Sequence, residues 1–287
     1  MRSRPSQLIA IVMMVLWIAP VLAAPQHVVS TTLCTDEYVF RLLPRERIAA
    51  LSFLAGDTHP VVSTIAGKVK GVALIRPSAE TVLAQHPDLV VMYQGTEPRL
   101  RAHLQEAGVK VLEVPWANSL AAVRKVTLML GEKLGVPARA RALLNAMDDR
   151  LAAARAAAVS PPVSTLVYEP NGYVTADRVS DEVLAAGGLH NVAARMHPTR
   201  MLTLPVETVV ADAPELLILN APRDATPARA DLVLQNPALR ALEGRSLIVH
   251  ASLTPLLCPG PWSAAVAGDF ARLGRRARAL AASRARH

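Results

Sequence analysis

Aromatic residues are scarce in this chain, cysteines number two, and no long apolar run occurs after the first two dozen residues. Aromatics make up 3% of the residues while hydrophobic residues reach 52%, so the core must be built from Ala, Leu and Val, and each aromatic position asks for a reason. No H-E-x-x-H string and no nucleophile elbow is present, which removes the commonest signs of a secreted hydrolase. No segment past Leu22 resembles a membrane span.

What is present begins with an export signal. Arg2 and Arg4 are followed by an uncharged run from Leu8 to Leu22 and then by Ala23 and Ala24, the order basic, apolar, small. The uncharged run is shorter than the roughly 20 residues a membrane span needs. Cleavage after Ala23 leaves Val21 and Ala23 at the two selective positions, so residues 1–23 are read as a cleavable signal peptide and the mature chain as secreted. Cys34 follows Leu33 and lies well past the apolar run, which argues against a lipid anchor. The net charge is +8, or about +6 without Arg2 and Arg4. Much of it sits in the last helix, at Arg272, Arg275, Arg276, Arg278, Arg284 and Arg286. Without interleaved aromatics this reads as a solvated face, not a nucleic-acid surface.

Short β-branched runs alternate with helical patterns. Val28–Thr32, Ile48–Ser52, Leu89–Tyr93 and Val109–Val114 read as buried strands, with Asp36–Leu43, Ala79–Ala84 and Arg99–Ala107 as helices between them. That order implies parallel strands joined by helical crossovers, an α/β layer. At Asn118 the pattern turns purely helical. Ser119–Leu134 is one helix, and a second starts at Pro137 and runs to about Ala158. After Pro161–Pro162 the alternation resumes with strands at Thr165–Tyr168, Leu216–Leu219 and Leu247–Val249 and a helix at Asp181–Ala186. The expected organisation is an N-terminal lobe at 24–118, a helical linker at 119–160 and a C-terminal lobe at 161–287.

The second half echoes the first. Ala79-Glu80-Thr81-Val82 through Pro87-Asp88-Leu89 matches Val206-Glu207-Thr208-Val209 through Pro214-Glu215-Leu216 in register, at an offset of 127 (207 − 80). Both strings read as a short helix, a turn and a buried strand, as expected of two similarly built α/β lobes.

The string PSAETVLAQHPDLVVMY, the opening strand, the linking helix and the repeated Glu-bearing segment resemble periplasmic substrate-binding proteins of ABC importers. The resemblance is to the class whose lobes are joined by one rigid helix, which serves vitamin B12, haem and iron–siderophore uptake. It implies two Rossmann-like α/β lobes joined by a single long helix, with the ligand cleft between the lobes. It also implies a monomer that does no chemistry, holds no tight cofactor, carries an iron- or cobalt-containing chelate, and delivers it to an ABC permease and its ATPase. Glu80 and Glu207 match the paired glutamates with which this class docks onto the permease.

On this reading the ligand lies at the carboxyl ends of the strands. Phe53 stands where vitamin-B12-binding members carry an aromatic. Tyr93 ends a strand, and Tyr173 lies in the loop after the first C-lobe strand; aromatic faces suit planar ligands. Leu74 and Met201 occupy places where vitamin-B12-binding members have tryptophan, a departure from corrin specificity. Cys34 and Thr35 follow the opening strand, while His250 and the Cys258–Trp262 loop follow the last, so these residues join the candidate set. The two cysteines leave three readings open: a disulfide, a pair of soft-metal ligands, or unrelated buried thiols. Two further functions compete. His59, His197 and His250 could reach the cleft and bind a free ion such as Zn²⁺ or Mn²⁺. Cys34 with Asp36 and a cleft histidine could form a thiol hydrolase.

Overall fold

The computed structural model describes residues 24–174, 177–193, 202–221 and 229–286. The expected signal peptide, His197 and Met201 lie outside the described residues.

The N-terminal lobe opens with β1 (Val28–Ser30), α1 (Leu33–Leu42) and β2 (Ile48–Ser52), then β3 (Leu74–Ile75) and α2 (Ala79–Leu83). It continues through β4 (Leu89–Tyr93), α3 (Pro98–Glu106) and β5 (Val111–Val114). The five strands are all parallel, in the order β3-β2-β1-β4-β5. Central strands buried on both faces need apolar residues at every position. Accordingly Val28, Val91 and Leu51 enter one core while Val29, Val90 and Met92 enter another on the opposite face.

Two helices follow, α4 (Leu120–Lys133) and α5 (Pro137–Ala157). The Ser119 hydroxyl caps α4, accepting from the Ala122 N–H at 3.1 Å. Pro137 starts α5 where its missing N–H has no helical partner to lose. The 21 residues of α5 reach about 30 Å. One stripe of it, Ala140, Leu144, Met147, Leu151 and Ala154, is buried. That spacing of three and four keeps a single face toward the core.

The C-terminal lobe contains β6 (Val163–Tyr168), β7 (Tyr173–Val174), α6 (Arg178–Ala186), β8 (Leu189–Asn191), β9 (Leu202–Thr203) and α7 (Val206–Asp212). It ends with β10 (Leu216–Leu219), β11 (Leu247–His250), α8 (Thr254–Leu257) and α9 (Ala267–Arg284). β8, β6, β10 and β11 run parallel. The sheet is not purely parallel, however, as the alternating pattern implied. β7 turns back antiparallel on the end of β6, and β9 pairs antiparallel with β7. The reversal is local chemistry: Asn171 and Gly172, at φ 58° and 78°, supply consecutive left-handed residues directly after Pro170.

The largest core does not stop at a lobe boundary. It runs from Val28 and Val91 through Val126, Leu130, Leu144 and Leu151 to Val163, Val167, Ile218 and Phe270. Each lobe adds a smaller core on its outer face. A polar contact reinforces the shared junction: Glu182 of α6 accepts the Leu120 N–H at the start of α4, at 2.7 Å.

The basic terminal helix is only partly the solvated face expected. Arg276, Arg284 and Arg286 are exposed. Arg278, in contrast, pairs with Glu215 at 2.5 Å and donates to the Pro161 and Pro162 carbonyls, while Arg275 donates to the Ala157 carbonyl at 2.6 Å. These two arginines fasten α9 to the point where the linker enters the second lobe.

Candidate ligand cleft

In an open parallel sheet, the crevice forms where neighbouring strands send their connections to opposite sides. In the N-terminal lobe that place is between β1 and β4. Around it, at the carboxyl ends of the strands, stands an aromatic group. Phe53 follows β2 and Arg76 follows β3; both are exposed, and the guanidinium carbon lies 4.1 Å from the Phe53 ring centre. Tyr93 ends β4 and packs against Trp116, two residues past β5, with ring centres 5.3 Å apart. The Tyr93 ring is buried, which pushes its hydroxyl up to about 12. Trp116 is 60% exposed and covers it. Trp116 is absent from the residues singled out by sequence. Its signal was available, since a tryptophan just past a strand end in so aromatic-poor a chain is out of the ordinary. Leu74 is also exposed on this side.

From the C-terminal lobe, Tyr173 (40% exposed) stands at the β6–β7 reversal and His250 is exposed at the end of β11. The Tyr168 hydroxyl donates to the Leu204 carbonyl at 2.9 Å, bracing the same reversal against the entry to α7.

Thr35 plays another part. It is buried, and its hydroxyl contacts those of Ser30 at 2.7 Å and Thr32 at 2.8 Å, shaping the turn from β1 into α1. Next to it Asp36 is fully buried; it accepts the Ser52 hydroxyl at 2.5 Å and the Ser52 N–H at 3.1 Å. Burial raises its carboxyl to about 7, although the Ser30 and Ser52 hydrogen bonds hold it down.

The cysteines are joined. Cys34 and Cys258 form a disulfide that ties the first turn of α1 to the second lobe. Both had been expected on loops facing a ligand. Instead Cys34 is helical and Cys258 is buried within the shared core. Trp262 is likewise packed away: its ring meets Tyr38 edge-on at 4.8 Å, and its Nε1 donates to the Cys258 carbonyl at 2.8 Å. In the bridge neither sulfur is a nucleophile or a metal ligand, so the hydrolase and soft-metal readings of these two residues fall away. Among the described residues, no group of three or more His, Cys, Asp or Glu side chains could hold a metal ion.

Glu80 and Glu207 are exposed, each the second residue of a helix, α2 and α7. β3 is parallel to β2, and β9 runs in the direction of β6, so both helices start at the carboxyl ends of their sheets. No helix of the described residues is long and apolar enough to cross a membrane.

The model of the periplasmic binding protein family matches residues 54–244. The chain belongs to that family. Solved structures of other periplasmic binding proteins share its fold. The periplasmic haem-binding protein RhuT of Roseiflexus sp. RS-1 superposes with a TM-score of 0.68 at 23% identity, covering 88% of this chain and 98% of that one. The periplasmic haem-binding protein HutB of Vibrio cholerae gives 0.71 at 17% identity, with 86% and 98% covered. The vitamin-B12-binding protein BtuF of Vibrio cholerae gives 0.65 at 14%, with 89% and 98% covered. No protein of curated function matches the chain by sequence.

Proposed function

We propose that this periplasmic binding protein is the solute-binding component of an ABC importer, and that it captures a metal chelate of the haem, ferric-siderophore or cobalamin type between its lobes. The observation carrying this reading is the convergence of aromatic faces and a cation at the carboxyl ends of the strands. Phe53 under Arg76 and Trp116 over Tyr93 line the first lobe; Tyr173 and His250 line the second. Flat π surfaces favour a large planar or aromatic ligand, and the exposed guanidinium favours anionic groups on it. Leu74 in place of an aromatic speaks against a corrin ring as the preferred cargo. Glu80 and Glu207 then act as the two docking carboxylates, one from each lobe, for a permease with two basic sites. Binding happens in the periplasm, and the importer's ATPase is engaged only through the permease.

Titration calorimetry with hemin, a ferric hydroxamate, a ferric catecholate and cyanocobalamin tests the reading, with Zn²⁺ and Mn²⁺ as controls. One chelate bound per chain is the expected result. Binding confined to the free ions would refute it.

A further inference from the structure

The bridge between Cys34 and Cys258 closes a covalent ring through the molecule. The lobes are already connected by the chain through α4 and α5; the disulfide adds a second, independent tie 224 residues apart in sequence. Non-covalent contacts crowd around it. One turn further along α1, the Tyr38 hydroxyl donates to the Pro259 carbonyl at 3.1 Å, and its ring packs on Trp262. Arg41, nearly another turn on, lies 4.9 Å from the same indole. Beside them the hydroxyls of Ser252 and Thr254 both donate to the Pro60 carbonyl, at 2.7 and 2.6 Å, again from second lobe to first.

Whether such a bond can serve as a switch depends on which sulfur a reductant can reach and which sulfur leaves. In thiol–disulfide exchange the attacked sulfur stays with the attacker while the other departs as a thiolate, and departure is fast only from a stabilised thiolate. Cys34 is half-buried in the first turn of α1, where the helix terminus stabilises a thiolate. Cys258 is 3% exposed within the apolar core, where a thiolate is disfavoured. Attack on the reachable sulfur, that of Cys34, therefore expels the poor leaving group. Expelling the good leaving group requires attack on the sulfur that cannot be reached. A dithiol reductant, which would pass two hydrogens to the cysteines and close its own disulfide, is blocked along both routes.

We propose that the Cys34–Cys258 disulfide is a permanent interlobe clamp, not a redox switch, and that it holds the two lobes at one separation while ligand enters and leaves. Its importance for uptake rests on the binding-protein reading; the clamp itself does not, so its test is run without ligand. First, the folded wild-type protein is exposed to reduced glutathione and its free thiols are counted by mass after maleimide trapping. The bridge should be reduced on the order of 100-fold more slowly than in the same chain in denaturant. Second, nitroxide labels are placed through His103→Cys and Arg240→Cys, both exposed positions, one on each lobe. Pulsed electron resonance should give one narrow distance distribution, which broadens when Cys34→Ser and Cys258→Ser are added. If the serine pair does not fold, Cys34→Ala with Cys258→Val takes its place, and the glutathione assay needs no variant. Rapid reduction in the folded state, or an unchanged distribution after the clamp is cut, would overturn the proposal.

Discussion

Glu80 and Glu207 stand at equivalent places in the two halves of the chain: 127 residues apart (207 − 80), each second in a short helix that leads into a buried strand. The helix starts and the strand starts share that offset as well (206 − 79 and 216 − 89). A glutamate in a first helical turn is favoured by the helix dipole by roughly 0.3–1 kcal/mol. If that were its whole purpose, Glu→Ala would cost slight stability and nothing more. For docking carboxylates, Glu80→Arg with Glu207→Arg should abolish uptake in cells while the purified protein, its melting temperature lowered by only a few degrees through the helix dipoles, stays folded and keeps its chelate affinity. Association of the wild type with the permease should also weaken with added salt. Normal uptake by the double reversal would remove the docking role.

The aromatic wall gives a second expectation. Trp116→Ala and Phe53→Ala should each weaken hemin binding, or that of whichever chelate binds, by about fivefold, the loss of one stacked face being worth roughly 1 kcal/mol. Both side chains are exposed, so urea midpoints should barely move. Unchanged affinity in both variants would place the ligand elsewhere.

Asp36 links stability to pH. Its carboxyl titrates near 7 in the folded protein, against 3.8 as its ordinary value, because burial disfavours the charge. The folded state therefore holds a proton that the unfolded state has released between those values, and stability falls as pH rises from about 4 through 7. The full loss is bounded at roughly 4 kcal/mol. Asp36→Asn keeps an oxygen to accept the Ser52 N–H, turns the other contact into a donation to the Ser52 hydroxyl oxygen, and removes the ionisation. Its denaturation midpoint should be flatter across that range than that of the wild type. Equal slopes would show that Asp36 ionises at its ordinary value.

Cutting single contacts at the junction should have graded effects. Tyr38→Phe removes the hydrogen bond to Pro259 while keeping the ring on Trp262, and should cost about 1 kcal/mol. Glu182→Ala leaves the Leu120 N–H without its partner and should cost a similar amount. Loss of the disulfide, which closes a ring of about 225 residues, should cost up to about 5 kcal/mol on the loop-entropy account. Chemical denaturation of each variant measures these directly.

The strands that are apolar on both faces were legible to within a residue or two: Ile48–Ser52, Leu89–Tyr93 and Leu216–Leu219 are strands with those bounds. The two linker helices were also plain, because Ser119, Gly135, Pro137 and the Pro161–Pro162 pair punctuate them. The start of α1 was misplaced. Leu33, Cys34 and Thr35 look like the tail of a strand, and the helix begins there because Thr32 and Thr35 exchange hydroxyl contacts across its first turn. That shift of three residues put Cys34 on a loop and left the bridge to Cys258 as only one of three open readings. The two-residue strands β3, β7 and β9 carry too little pattern to be read, being fixed by their neighbours. Trp262 looked like a ligand contact by sequence position; its partner Tyr38 lies over two hundred residues away, and pairings at that distance leave no local trace.

The shared core has a consequence for how the molecule is put together. Val28 in the first strand and Phe270 in the last helix belong to one apolar mass, with α5 through its middle. Neither half of the chain can be lifted away without baring a large greasy face. The lobes should therefore melt in a single calorimetric transition despite their separate sheets, and either half expressed by itself should aggregate. In this protein two α/β sheets of similar build share only one unit of folding.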